Sequence, residues 1–151
     1  MRTAPTALAG LVAALAVGAA SAHAAPQVLA AWSRPAAQGT TAGGYMTLVN
    51  PGAKADALVS VASPLASGVQ IHQSMVHGAM ATMHPVDQAP IPPGGRVTFA
   101  PGGYHLMFLA VTRPLKVGDT LPATLTFASG AKVKASFVVG LGPPVAGHPH
   151  H

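Results

Sequence analysis

Proline and glycine interrupt this chain so often past residue 25 that no amphipathic run of helical length is left. The punctuation includes Asn50-Pro51-Gly52, Pro64, Gly78, the stretch from Pro90 to Gly95, Pro101-Gly102-Gly103, Lys116-Val117-Gly118-Asp119 and Ser129-Gly130-Ala131. Proline fixes φ and removes a donor, and glycine opens positive φ, so these sites turn the chain. Between them lie short runs in which apolar and polar side chains alternate with period two.

That pattern predicts strands at 27–33, 45–50, 57–62, 68–74, 79–86, 96–100, 104–111, 121–128 and 132–139. Val28, Ala30 and Trp32 are expected on one face of the first strand. Tyr45, Thr47 and Val49 alternate against Met46 and Leu48 in the second. Residues 36–44 read as a Gly-rich loop and 90–95 as a rigid turn. Eight or nine short strands at this spacing imply an all-β fold, a Greek-key β-sandwich.

Arg2, an apolar run over 7–20 and Ala22-His23-Ala24 have the parts of a secretory signal peptide, residues 1–24, cut after Ala24. The alternative is a membrane anchor, for which the run is short. The exported domain is then 25–140, in the periplasm or another extracytoplasmic compartment, and it does not span the membrane after cleavage. Residues 141–151 form a Gly/Pro-rich flexible tail.

Charge excludes several functions. The exported part carries seven scattered Lys and Arg against Asp56, Asp87 and Asp119, with no basic run that would suit nucleic acid. Glutamate is absent, which removes the usual paired carboxylates of acid–base hydrolysis. Cysteine is absent too. The core must therefore supply the stability without disulfides, and about 127 exported residues can bury enough apolar surface for that.

What remains is a concentration of soft donors. Four of the five methionines after the initiator, and four of the eight histidines, fall between His72 and Met107. Imidazole and thioether without thiolate form a donor set that a soft monovalent ion accepts and a hard cation does not. His105 and Met107, at i and i+2 of a strand, share a face roughly 7 Å apart at Cα, with Leu106 turned to the core. His72 lies on the polar face of its strand, opposite Val69 and Ile71, and Met83 follows a turn at Gly78 that can fold it back beside His72. Two donors from each side would close a four-coordinate Cu(I) site. A blue-copper centre is excluded because it needs a Cys thiolate. Each residue alone has a plainer reading: Met46 and Met75 as core filler, His77 and His84 as surface residues, and Met80 as a substitute or outer donor. The case for His72, Met83, His105 and Met107 is their joint spacing.

That spacing, H-x10-M-x21-H-x-M, resembles the periplasmic copper chaperone family called PCuAC. Ala31-Trp32-Ser33-Arg34, the run from Gly44 to Asn50, the run from Pro101 to Met107 and the run from Leu121 to Phe127 are also similar to that family. The resemblance implies a cupredoxin-like β-sandwich, Cu(I) held by those four residues, and delivery to the cytochrome c oxidase subunit that carries CuA or to another copper chaperone. The family commonly has an acidic residue after the first His, where this chain has Gln73. His148, His150 and His151 in the tail form a possible secondary site better suited to Cu(II), or an ordinary solvated tail. Other classes stay open at this level: copper storage or resistance, a small copper oxidoreductase, or a structural β-sandwich with incidental His and Met. The absence of Cys and Glu argues against the enzyme.

Overall fold

The computed structural model describes residues 24–144 and Thr3. The signal-peptide and tail readings lie outside these residues, apart from the ends that adjoin them. The period-two runs become ten strands: β1 (Gln27–Ser33), β2 (Ala42–Val49), β3 (Asp56–Ala62), β4 (Gly68–His77), β5 (Met80–Pro85), β6 (Ala89–Ile91), β7 (Arg96–Phe99), β8 (Tyr104–Leu109), β9 (Thr120–Phe127) and β10 (Lys132–Val139). The described residues contain no helix. The all-β expectation holds.

The strands form one hydrogen-bonded sheet in the order β5-β4-β8-β7-β2-β1-β10-β9-β3-β6, with β2 also paired to β8. Ladders are antiparallel except β1–β10 and β7–β8. Sequence-distant strands lie side by side, as Greek-key connections require. The sheet curls so that β3, near one end, packs against β4, near the other. Phe108 of β8 meets Phe137 of β10 edge-on across the interior, ring centroids 5.4 Å apart.

The core takes the inward side chain of each alternating pair. Met46, Leu48, Leu106, Phe108, Leu125 and Phe137 are among those buried. Each such side chain contributes about 1.5–3 kcal/mol by leaving water. With no disulfide in the chain, this burial is the main favourable contribution to stability.

The structure departs from the sequence reading in four places, each with a local cause. β1 carries a bulge between Leu29 and Trp32, with Ala30 at φ 51°. Val28 therefore pairs with the core residue Leu48 and Trp32 with Tyr45 on the other face, so Val28, Ala30 and Trp32 do not share a face. β2 begins three residues early, because Ala42, Gly43 and Gly44 pair with Phe108, Met107 and Leu106. Gly44 runs so close to β8 that a Cβ there would lie 2.5 Å from the Phe108 ring. β6 overlaps the start of the stretch read as a turn. It is the last strand of the sheet, where a proline at position 90 is tolerated, and Ala89 and Ile91 are wholly buried. Finally, β4 runs on to His77 and makes a hairpin with β5 around Gly78 at φ 61°.

Candidate metal centre

β4 and β8 are antiparallel neighbours, and their register sets His72 directly opposite His105. The rings lie 5.5 Å apart between centroids, at 44°. Two residues along β8 is Met107, opposite Gln70. Two residues along β4 is Ser74, opposite Met83 of β5. Residues facing each other across a ladder, and residues two apart on one strand, project from the same face. His72, Met83, His105 and Met107 therefore rise from one face of three adjoining strands, away from Leu106 and Ile71 in the core. Leu106 points inward, as its position between two donors predicts.

The hydrogen bonds fix which imidazole nitrogens are available. His105 Nδ1–H donates to the Gly103 carbonyl at 3.2 Å. A carbonyl only accepts, so Nε2 keeps the lone pair. His72 Nε2–H donates to Gln70 Oε1 at 2.8 Å, leaving the lone pair on Nδ1. His72 Nδ1 and His105 Nε2 are both buried, and they are the buried side-chain nitrogen or oxygen atoms without a partner among the described residues. Leaving such an atom unpaired costs about 1–3 kcal/mol. Two on one face, each with its ring locked from behind, is the arrangement expected of metal-ligating histidines, whose second nitrogen is held by a carbonyl or similar group.

The His72 pKa is lowered from its ordinary 6.5, first by burial, then by His105 and His84 nearby. These effects favour the neutral ring, the form in which it can bind a metal.

A cleft of about 290 Å³ opens beside the His105 ring, lined by Met83, His105 and Met107 together with Arg34, Tyr45, Ser74 and others; His72 stands across the rung from His105 but does not line it. No carboxylate lines it. Among the described residues no three His, Asp or Glu side chains gather, so an ion here would need thioether as well as imidazole. Arg34 lies over both aromatic rings behind the cleft, 6.0 Å from Trp32 and 5.7 Å from Tyr45. One fixed positive charge and no negative one disfavour a divalent ion. His105 is 5% exposed and Met83 60%, so the cleft is closed on the His105 side and open on the β5 side.

Other candidates separate by parity. Met75, His77, Met80 and His84 project from the opposite face of the β4–β5 hairpin, since their cross-strand partners are Thr82, Met80, His77 and Gln73. Met80 is thus not a near substitute for Met83. Met75 is 39% exposed and is not core filler, whereas Met46 at 2% is. Gln73 also faces away from His72. The residue that holds His72 is Gln70, which the sequence reading passed over although it stands at i−2 on the same strand face. The Gly103 carbonyl had no sequence signal, because the bond is made by backbone.

Solved structures with this architecture include copper-bound and apo forms. The copper-bound PCuAC domain from PmoF2 is 30% identical, with a TM-score of 0.64 over 76% of this chain and 91% of that one. Cu(I)-DR1885 from Deinococcus radiodurans is 32% identical, with a TM-score of 0.58 over 80% and 84%. The fold and the shared sequence define an all-β domain of the PCuAC type.

The family model described as "Putative lipoprotein LpqE-like" matches residues 26–139, and the chain belongs to that family. "Putative lipoprotein Lxx21020" of Leifsonia xyli is 32% identical over 106 residues, 70% of this chain and 63% of that protein. The chain spans about three-fifths of the length of the curated relatives it matches. No helix among the described residues is long and apolar enough to cross a membrane.

Proposed function

We propose that this protein is an extracytoplasmic carrier of Cu(I), with His72, Met83, His105 and Met107 as the ligands of its cargo. The observation that carries this reading is the pair of buried, unpartnered imidazole nitrogens on the face that also bears both thioethers. Two neutral imidazoles and two neutral thioethers leave a bound ion's charge uncompensated, which favours a monovalent ion over a divalent one. Zinc, calcium and magnesium take thioether poorly.

The uneven exposure suits delivery. Buried His105 anchors the ion from the closed side, while exposed Met83 on edge strand β5 is the ligand that an acceptor displaces first. We assign as acceptor the CuA-bearing subunit of cytochrome c oxidase or another copper chaperone. The lipoprotein names among its relatives support a location outside the cytoplasm. His148, His150 and His151 are assigned a separate role in Cu(II) capture, supported by three clustered imidazoles; deletion of residues 147–151 should then lower Cu(II) stoichiometry without changing Cu(I) binding.

The deciding experiment is a Cu(I) competition titration against a chromophoric chelator, followed by mixing the loaded protein with the apo acceptor. One tightly held Cu(I) that passes to the acceptor supports the carrier. One that stays put indicates storage instead.

A further inference from the structure

The soft donors that parity excludes from the cleft are not scattered. β4 and β5 extend past β8, whose pairing with β4 ends at Gln73–Tyr104. Beyond it the hairpin continues for four more pairs, from Ser74–Met83 to His77–Met80 at the Gly78 turn. On the face turned away from the cleft, this arm carries Met75, His77 and Met80. Met75 and His77 are two apart on β4 and so share that face. Met80 lies directly across from His77, at the ordinary cross-strand Cβ separation of roughly 4.5–5.5 Å. Met75 stands on the diagonal from Met80, about 7–8 Å away and within reach of long side chains. All three are exposed, Met75 at 39% and Met80 at 69%.

We propose that this face of the hairpin tip is a second, weaker site for a soft monovalent ion, with Met75, His77 and Met80 as its donors. An imidazole and a thioether across one ladder rung are placed to bind such an ion from two sides, and Met75 supplies a third donor. Imidazole and thioether are both neutral donors, and thioether selects against hard cations. The three residues are separate from those of the cleft, so the site stands whether or not the cleft holds copper. Their exposure means that bound metal is open to solvent and exchanges readily. Metal reaching the arm from outside is thereby held one hairpin thickness from exposed Met83.

Methionine ε-methyl NMR on the full chain tests this residue by residue, with Ag(I) and with Cu(I) kept reduced by ascorbate. The tail histidines are replaced (H148A, H150A, H151A) to remove a competing sink. The Met75 and Met80 methyl signals should shift together, saturating at least about tenfold more weakly than any response of Met83 and Met107. H77A should abolish the Met80 shift and leave the Met83 response intact. Met75→Leu and Met80→Leu, on an exposed surface, should keep the fold and lower the total Ag(I) bound by one ion. Silent Met75 and Met80 methyls at several equivalents of metal, or shifts indifferent to H77A, would overturn the site and leave an apolar arm suited to protein contact.

Discussion

His72 and His105 face each other across one rung of the β4–β8 ladder, and each ring is held from behind with its remaining nitrogen buried and unpartnered. For His72 the hold is a side chain, Gln70, and so it can be removed. Gln70→Leu keeps the bulk and deletes the acceptor. The Nε2–H tautomer then loses its fixing bond, and Cu(I) affinity should fall about 10–100-fold, the usual cost of losing an outer partner of a metal-ligating His. Ring ¹⁵N shifts should show a mixed tautomer at His72 with His105 unchanged. Unaltered affinity would mean that the bond does not position the ring.

Replacing a ligand should cost more than replacing its support. Met107→Leu and Met83→Leu conserve volume and should cost less than about 1.5 kcal/mol in stability. Each should weaken Cu(I) binding beyond the 10–100-fold expected for Gln70→Leu. The two should differ in kinetics. Met83 is exposed at the sheet edge, whereas Met107 lies between β4 and β2. Met83→Leu should therefore alter the rate of transfer to an acceptor more than Met107→Leu does, as stopped-flow mixing would reveal.

Acid should act through His72. Its pKa lies below 6.5 in the folded protein, chiefly from burial. As pH falls from 6.5, the unfolded chain takes up the proton first, so apo-protein stability is full above about pH 6.5 and declines as pH drops through the folded value. Protons compete with metal for the same nitrogen, so His72 should remain available to copper at a lower pH than a free imidazole. An NMR titration of the His72 ring in the apo protein should give a midpoint under 6.5, and a midpoint above it contradicts this account.

Much of the site was legible because strand parity is a local property. His105, Leu106 and Met107 could be assigned to faces from their spacing alone. The rung that joins His72 to His105 was not legible, since register between strands far apart in sequence depends on how the whole sheet packs. Parity in the hairpin was within reach: a two-residue turn at Gly78-Ala79 sets His77 opposite Met80 and sends Met80 away from Met83. The bulge at Ala30 left no trace, because alanine at positive φ has no compositional signal. β6 stayed hidden because proline reads as a breaker, and only its place at the end of the sheet makes it acceptable.

The close approach of β2 to β8 gives a test that links fold to site. Gly44 passes over Phe108, and its neighbour Gly43 pairs with Met107. Gly44→Ala would put a Cβ 2.5 Å from Phe108 Cε2, in a core where that ring is wholly buried. The ring or the strand must move, at about 1–3 kcal/mol for overpacking. If β2 moves, the rung at Met107 moves with it, and Cu(I) affinity should fall although no ligand has changed. Gly68→Ala is the control, since a Cβ there meets nothing within 4 Å. Thermal melts and copper titrations of the two variants should diverge, with Gly68→Ala close to the parent in both. Equal behaviour would show that the β2–β8 contact is looser than the backbone spacing implies.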